Sequence, residues 1–272
     1  MMNEQNYFEL VKSYKLQANK SLGQNFLINP EVASKIVGAL DLKEGDKVIE
    51  IGAGLGSISY FLAKSPANST LIDVDDRMIA FLEEQYKDSS NILVKRENVL
   101  KSDLSQYNKI IGNLPYYITT GILETILLKG INAESIVLMC QKEVYSKLLK
   151  NTKDISPLSL FLNYVSNIEL VTNVSRNNFA PIPHVDSLVF KLTPNENIKH
   201  EDNASLYNLM NKLFLHRRKT IYNCLRFIIN SNELTSEVLA KVNIQENLRP
   251  EQIKIESYIE LLNELKARNL LK

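Results

Sequence analysis

Four consecutive residues, Asn113, Leu114, Pro115 and Tyr116, combine groups for which an ordinary loop has no use. Proline fixes one φ and removes a backbone donor, which stiffens the turn. An Asn amide oxygen and a neighbouring main-chain carbonyl can then aim at one point. Two acceptors aimed together suit an exocyclic –NH2 group, and the tyrosine offers a flat face on which a base can stack. Adenine N6 is a poor nucleophile because its lone pair is delocalised into the ring. Two fixed acceptors that draw its hydrogens out of the ring plane would localise that pair. Such a site acts by electrostatic preorganisation and needs no strong general base.

A second constellation lies upstream. Gly52, Gly54 and Gly56 form G-A-G-L-G directly after the apolar run KVIEI. Glycine permits positive φ and close approach of the backbone to a ligand. Glu50 stands just before this loop, and Asp73 ends the next apolar run, 21 residues after Gly52. A carboxylate there can accept hydrogen bonds from both ribose hydroxyls of an adenosine group. The ligands that fit are a dinucleotide or S-adenosylmethionine.

Both constellations need elements to position them. NPEVASKIVGAL predicts a helix, with Asn29 as N-cap and Pro30 at its first position. Strands are predicted at 47–51, STLIDVD, NILVKRE, KIIGN and SIVLMCQ. Helices are predicted between and after them at 56–64, 75–86, 119–128 and EVYSKLLK. Short apolar strands alternating with helices indicate an α/β fold, a doubly wound, mostly parallel sheet. NIELVTNVS and VDSLVFKL are β-rich runs joined by RNNFAPIPH, where two prolines exclude a helix. Helix is expected over 205–230, 233–241 and from Pro250 onward. The polar, aperiodic stretch 194–203 puts a domain boundary there, giving an N-terminal domain of 1–196 and a small all-α domain of 197–272.

Composition narrows the class. In 272 residues, Gly (9) and Pro (8) are scarce and hydrophobic residues make up 44%, which excludes collagen-like, low-complexity and disordered chains. Cys140 and Cys224 form no Cys-x-x-Cys motif, and His184, His200 and His216 are not at metal-ligand spacing, so no metal is expected. The first residues lack the apolar core of a signal peptide and no run matches a membrane span, so a cytoplasmic protein without a membrane partner is expected. The net charge of +1 hides a local asymmetry. No acid lies between Asp202 and Glu233, while Lys212, Arg217, Arg218, Lys219 and Arg226 do. On one continuous helix Lys212, Lys219 and Arg226, seven apart, would form a stripe able to meet RNA phosphates. Arg217 and Arg218 could instead pair with acids.

Taken together, SLGQNFLINP, VIEIGAGLGSIS, NLPYYITT, NFAPIPHVDSLVFKL and FLHRRKTIYNCL resemble the small-subunit ribosomal RNA adenine N6,N6-dimethyltransferases of the KsgA type. The resemblance covers nearly the whole chain and implies a Rossmann-like class I methyltransferase domain followed by a helical RNA-binding domain. It implies S-adenosylmethionine as cofactor, S-adenosylhomocysteine as product, and the immature small ribosomal subunit as partner. A monomer is expected. By the same resemblance Gln24, Asn25 and Leu27 line the cofactor site. Glu50, Gly52, Gly54 and Gly56 belong to it, Asp73 binds the ribose, and Val74 lies beside the cofactor's adenine. Asn113 and the carbonyl of Leu114 hold the target N6, with Tyr116 and Phe179 stacked on the two faces of a flipped-out base. Two positions depart from the family. Asn98 stands in place of its usual Asp, whose role at the cofactor's amino group a neutral carbonyl can still fill, with Glu97 beside it as the alternative. Gly121 replaces a frequent Pro.

The expected reaction is dimethylation of N6 on two adjacent adenines near the 3′ end of 16S rRNA. The small residues Gly112 and Thr119 are expected to leave room for the second methyl. Three rival readings share part of this pattern. Large-subunit (23S) rRNA methyltransferases of the macrolide-resistance type share N-x-P-Y and the fold, but the R-R-K helix and the VDS segment favour the small-subunit family. A non-catalytic nucleic-acid-binding factor would not need the intact glycine loop, Asp73 and Asn113–Tyr116. A nicotinamide oxidoreductase would need a hydride-handling site.

Overall fold

The computed structural model of the chain describes residues 3–13, 23–115, 117–129, 133–149, 154–198 and 202–271. It divides into two compact units, one built from 1–146 and 166–194, the other from 147–165 and 195–272.

The first unit begins with α1 (Glu4–Ser13), which buries Tyr7, Phe8 and Val11. The strand β1 (Phe26–Leu27) follows, then α2 (Pro30–Gly38). As the sequence predicts, Asn29 caps α2: its Oδ1 accepts from the N–H groups of Glu31 and Val32, and Pro30 fills the first turn where a missing N–H costs nothing. Next come β2 (Lys47–Ile51), α3 (Ser59–Leu62), β3 (Asn68–Asp73), α4 (Asp76–Tyr86), β4 (Ile92–Arg96), β5 (Lys109–Asn113), α5 (Thr119–Lys129), β6 (Ser135–Gln141) and α6 (Lys142–Leu148). After the crossing into the second unit and back, the chain adds β7 (Ser166–Val174), β8 (Phe179–Ala180) and β9 (Ser187–Pro194).

The main sheet has the order β4-β3-β2-β5-β6-β9-β7. β2 to β6 are parallel, and β9 runs antiparallel between β6 and β7. This is the doubly wound, mostly parallel sheet expected from the alternating runs. Strand order reverses between β2 and β5, so the loops after these two strands face a crevice at their carboxyl ends. β2 and β5 approach closely at Gly112, where a Cβ would meet the Ile51 carbonyl at 2.6 Å. Gly112 is therefore a packing residue. Thr119 is buried and donates to the Pro115 carbonyl at 3.0 Å. Neither lines the site cavity, which corrects the expectation that they make room for a second methyl.

A two-stranded antiparallel ribbon pairs β1 with β8, Phe26 opposite Ala180 and Leu27 opposite Phe179. It ties the segment before α2 to the proline-rich joint. The predicted helix over 56–64 is in fact the single turn α3, because Gly56 is left-handed (φ +76) and a helix cannot start through it.

The second unit is helical: α7 (Pro157–Val165), α8 (Asn203–Phe214), α9 (Ile221–Ile229), α10 (Asn232–Lys241) and α11 (Ile255–Ala267). Phe161 of α7 stacks on Tyr207 of α8 with ring centroids 5.1 Å apart. Tyr258 is fully buried and donates to the Pro250 carbonyl at 2.8 Å. The single helix expected over 205–230 is two helices. Thr220 takes an extended conformation (ψ 157) and its hydroxyl oxygen accepts from the Asn223 N–H, capping a new start. No helix among the described residues is long and apolar enough to cross a membrane.

Candidate active site

At the carboxyl ends of β2 and β5 lies a cavity of about 410 Å³. The glycine loop forms one wall. Gly52 and Gly54 have φ of +70 and +56, a region that L side chains rarely adopt. The N–H groups of Gly52 and Ala53 both donate to the Ile72 carbonyl, at 2.9 and 3.1 Å, binding the loop to β3. Gly56 does not line the cavity, which corrects its assignment to the cofactor site. A Cβ there would lie 2.5 Å from the Tyr7 hydroxyl and 2.9 Å from Leu82 Cδ2, so its task is packing under the loop.

Three carboxylates line this cavity, Glu50, Asp73 and Glu97, and the first two stand at the ends of β2 and β3. Asp73, at the end of β3, accepts from the Gly54 N–H through Oδ2 and from the Asp75 N–H through Oδ1, both at 2.9 Å. Burial raises its pKa, and these backbone donors oppose the rise. Glu50 is 1% exposed and accepts from the Ser59 hydroxyl at 2.5 Å. Burial pushes its pKa up to about 8; the Ser59 bond opposes this, and the charge of Asp73 adds to it. Neither carboxylate has an ion-pair partner among the described residues. A buried acid of this kind favours a ligand that brings hydrogen-bond donors or positive charge.

The segment before β1 closes the cavity from the other side. Gln24 Nε2 donates to Asp75 Oδ2 at 2.8 Å. Asp75 itself is held down to about 2, chiefly by its bond from the Arg77 guanidinium. Asn25 offers its main-chain carbonyl to Asn113 Nδ2 at 3.3 Å. With its donor side engaged, Asn113 has its amide oxygen available as an acceptor. Leu114 is 1% exposed and its N–H donates to the Met139 carbonyl at 2.9 Å, anchoring the start of the loop on β6.

The structure thus brings Gln24, Asn25, Leu27, Glu50, Gly52, Gly54, Asp73, Val74, Asn98, Asn113, Leu114 and Pro115 to one cavity. Asn98 is engaged locally: its Oδ1 accepts from the Leu100 N–H at 3.0 Å, capping a 3-10 turn. Tyr116 lies outside the described residues, and its neighbour Tyr117 stands at the rim, 57% exposed. Phe179 is not at the cavity. The β1–β8 ribbon holds it in the core at 1% exposure, so neither ring face is open to a base in this conformation.

Sequence reasoning missed the supports of the site. Tyr7 donates to the Leu55 carbonyl at 2.6 Å, and Ser57, where a G-x-G-x-x-G pattern would have glycine, donates to the Leu27 carbonyl at 2.6 Å. The amphipathic spacing of Tyr7, Phe8 and Val11 was the available signal for α1.

The basic residues lie in the second unit, but not as one stripe. Lys212 is in the last turn of α8, Arg217, Arg218 and Lys219 are exposed in the turn before Thr220, and Arg226 is on α9. Arg217 and Arg218 make no ion pair among the described residues.

Comparison with known proteins adds a second line. The sequence profile of the family described as "Ribosomal RNA adenine dimethylase" matches residues 15–267. The chain is 37% identical to the ribosomal RNA small subunit methyltransferase A of Alkaliphilus metalliredigens, over 95% of this chain and 96% of that one. It is 35% identical to the protein of the same name from Levilactobacillus brevis, over 96% and 95%. A dimethyladenosine transferase from Plasmodium falciparum superposes with a TM-score of 0.75 at 25% identity, covering 89% of this chain and 97% of that one. The 23S rRNA methyltransferase ErmE shares the fold, with a TM-score of 0.64 at 21% identity over 89% of this chain and 100% of its own.

Proposed function

The chain belongs to the ribosomal RNA adenine dimethylase family, and from that premise we propose that it dimethylates N6 of two adjacent adenines near the 3′ end of 16S rRNA. The methyl donor is S-adenosylmethionine, which supplies an electrophilic methyl group when bound. The observation that carries the reading is the cavity itself: an oriented Asn113 amide stands at the same crevice as the buried Glu50 and the half-buried Asp73, neither with an ion-pair partner among the described residues.

The donor fits these residues. Asp73, fixed by backbone donors, lines the cavity as an acceptor to which ribose hydroxyls can donate. Glu50 gives a positively charged ligand the compensation it lacks from the protein. Val74, 44% exposed, offers an apolar surface for the donor's adenine, with Asn98 at its edge.

At the target base, Asn113 Oδ1 and the Leu114 carbonyl accept the two N6 hydrogens and hold the amino group out of conjugation. The bond from Asn113 to the Asn25 carbonyl fixes the amide before the base arrives, so little reorganisation is left for the reaction. Tyr116 stacks on the base. Phe179 joins it only after leaving the core. Lys212, Arg217, Arg218, Lys219 and Arg226 meet phosphates of the folded RNA. The protein acts as a cytoplasmic monomer on the immature small subunit.

Tritiated methyl transfer from S-adenosylmethionine tests this directly. Undermethylated small subunits should accept label and large subunits should not. Label in the large subunit alone would favour the 23S reading, and none on either would leave a binding factor.

A further inference from the structure

The turn between α8 and α9 carries more than positive charge. Phe227 is 55% exposed and Leu215 77%, the two most exposed large apolar side chains of the helical unit among the described residues. Phe227 does not stand alone. The His216 ring lies 5.2 Å from its centroid at 46°, and Lys219 Nζ sits 4.5 Å from its centroid. Arg217 and Arg218 flank this group, exposed and without ion pairs among the described residues. No acid occurs from 203 to 232. An exposed ring set among cations, with no acid near it in sequence, is how proteins hold unpaired nucleotides: the charges draw the backbone and the ring stacks the base.

We propose that Phe227, with His216 beside it, is a stacking platform for an unpaired nucleotide of the RNA, distinct from the target adenine. The inference rests on the proposed rRNA substrate and adds a contact that reads single-strandedness to contacts that read only charge. Lys219 connects the two. Over the ring it makes a cation–π contact worth little in water; when a phosphate arrives, it exchanges that contact for an ion pair and uncovers the ring face for the base. Charge complementarity favours RNA over a protein as the occupant, because Lys219 lies over the Phe227 ring and the same acid-free turn carries Arg217 and Arg218, exposed and without ion pairs among the described residues.

The chain has no tryptophan, so Phe227→Trp installs a single fluorophore at the platform. The probe is an unmodified transcript of small-subunit rRNA. Phe227→Ala and Phe227→Leu should each bind it about tenfold more weakly than wild type, the range of one lost stacking contact. Phe227→Trp should bind close to wild type, with its emission quenched on binding. Leucine binding as well as phenylalanine, or tryptophan emission unchanged at saturation, would overturn the platform; the first result would point to a protein surface as occupant. The leucine and tryptophan variants retain a large side chain, so the test stands even if the alanine variant is unstable. Wild-type protein that fails to methylate small subunits, with quenching intact, would overturn the enzymatic reading and leave the platform standing.

Discussion

The side-chain amide of Asn113 donates to the main-chain carbonyl of Asn25, joining residues 88 apart in sequence across the mouth of one cavity. That bond decides which way the amide faces. It leaves the oxygen as the free acceptor, and it makes residues 23–25 part of the geometry that the proposed mechanism needs.

On the proposed mechanism, Asn113→Ala removes one of two preorganised acceptors. Single-turnover methyl transfer to undermethylated small subunits should fall about 10²–10³-fold, the usual loss for one such group. Donor affinity measured by calorimetry should change far less. Equal rates for variant and wild type would refute the role.

Glu50 should make stability depend on pH. Its pKa in the folded protein is raised from an ordinary 4.5 to about 8, so the folded state holds the proton more tightly than the unfolded state. The stabilising contribution is complete below about 4.5 and is lost as pH rises through 8. Denaturant unfolding between pH 5 and 8.5 should show stability falling, with the slope reduced in Glu50→Gln. A cationic ligand favours the ionised form, so donor affinity should rise over the same interval.

Asn98→Asp isolates charge from geometry. Either side chain can accept the Leu100 N–H and cap the turn, so the local backbone should be unchanged. Donor affinity should then tighten, by no more than about tenfold for a charged in place of a neutral acceptor. An unchanged titration would show that the family's usual carboxylate is dispensable here.

Gly56→Ala sets a Cβ 2.5 Å from the Tyr7 hydroxyl at a left-handed φ. Overpacking and backbone strain together should cost about 1–3 kcal/mol, read as a lower midpoint in urea. Adding Tyr7→Phe should recover part of the loss by removing the atom that the new methyl meets first.

How far the sequence led depended on the range of each interaction. The parallel sheet was legible because its strands are short apolar runs separated by helical spacing. The glycine loop, Asp73 and Asn113–Pro115 were legible because each sits at the end of such a run. The α8–α9 break was not, since no Gly or Pro interrupts 203–230; only Thr220 before an apolar run marks it. The burial of Phe179 escaped the sequence for a different reason. Its burial follows from the pairing of β1 with β8, two-residue strands distant in sequence, which no local pattern announces. Gly56 shows the limit of motif reading: it fits the glycine pattern and serves the packing of α1 and α4.

The segment 147–165 belongs with the C-terminal helices although it is encoded between β6 and β7. Its α7 buries Leu158, Phe161, Leu162 and Val165, and Phe161 meets Tyr207 of α8. The two halves are therefore not interchangeable genetic cassettes. During synthesis α7 leaves the ribosome before the helices that cover it, so its apolar face must wait for the end of the chain. A recombination point near 195 would separate α7 from its partners, and any exchange of the helical unit between relatives has to carry two inserts, not one.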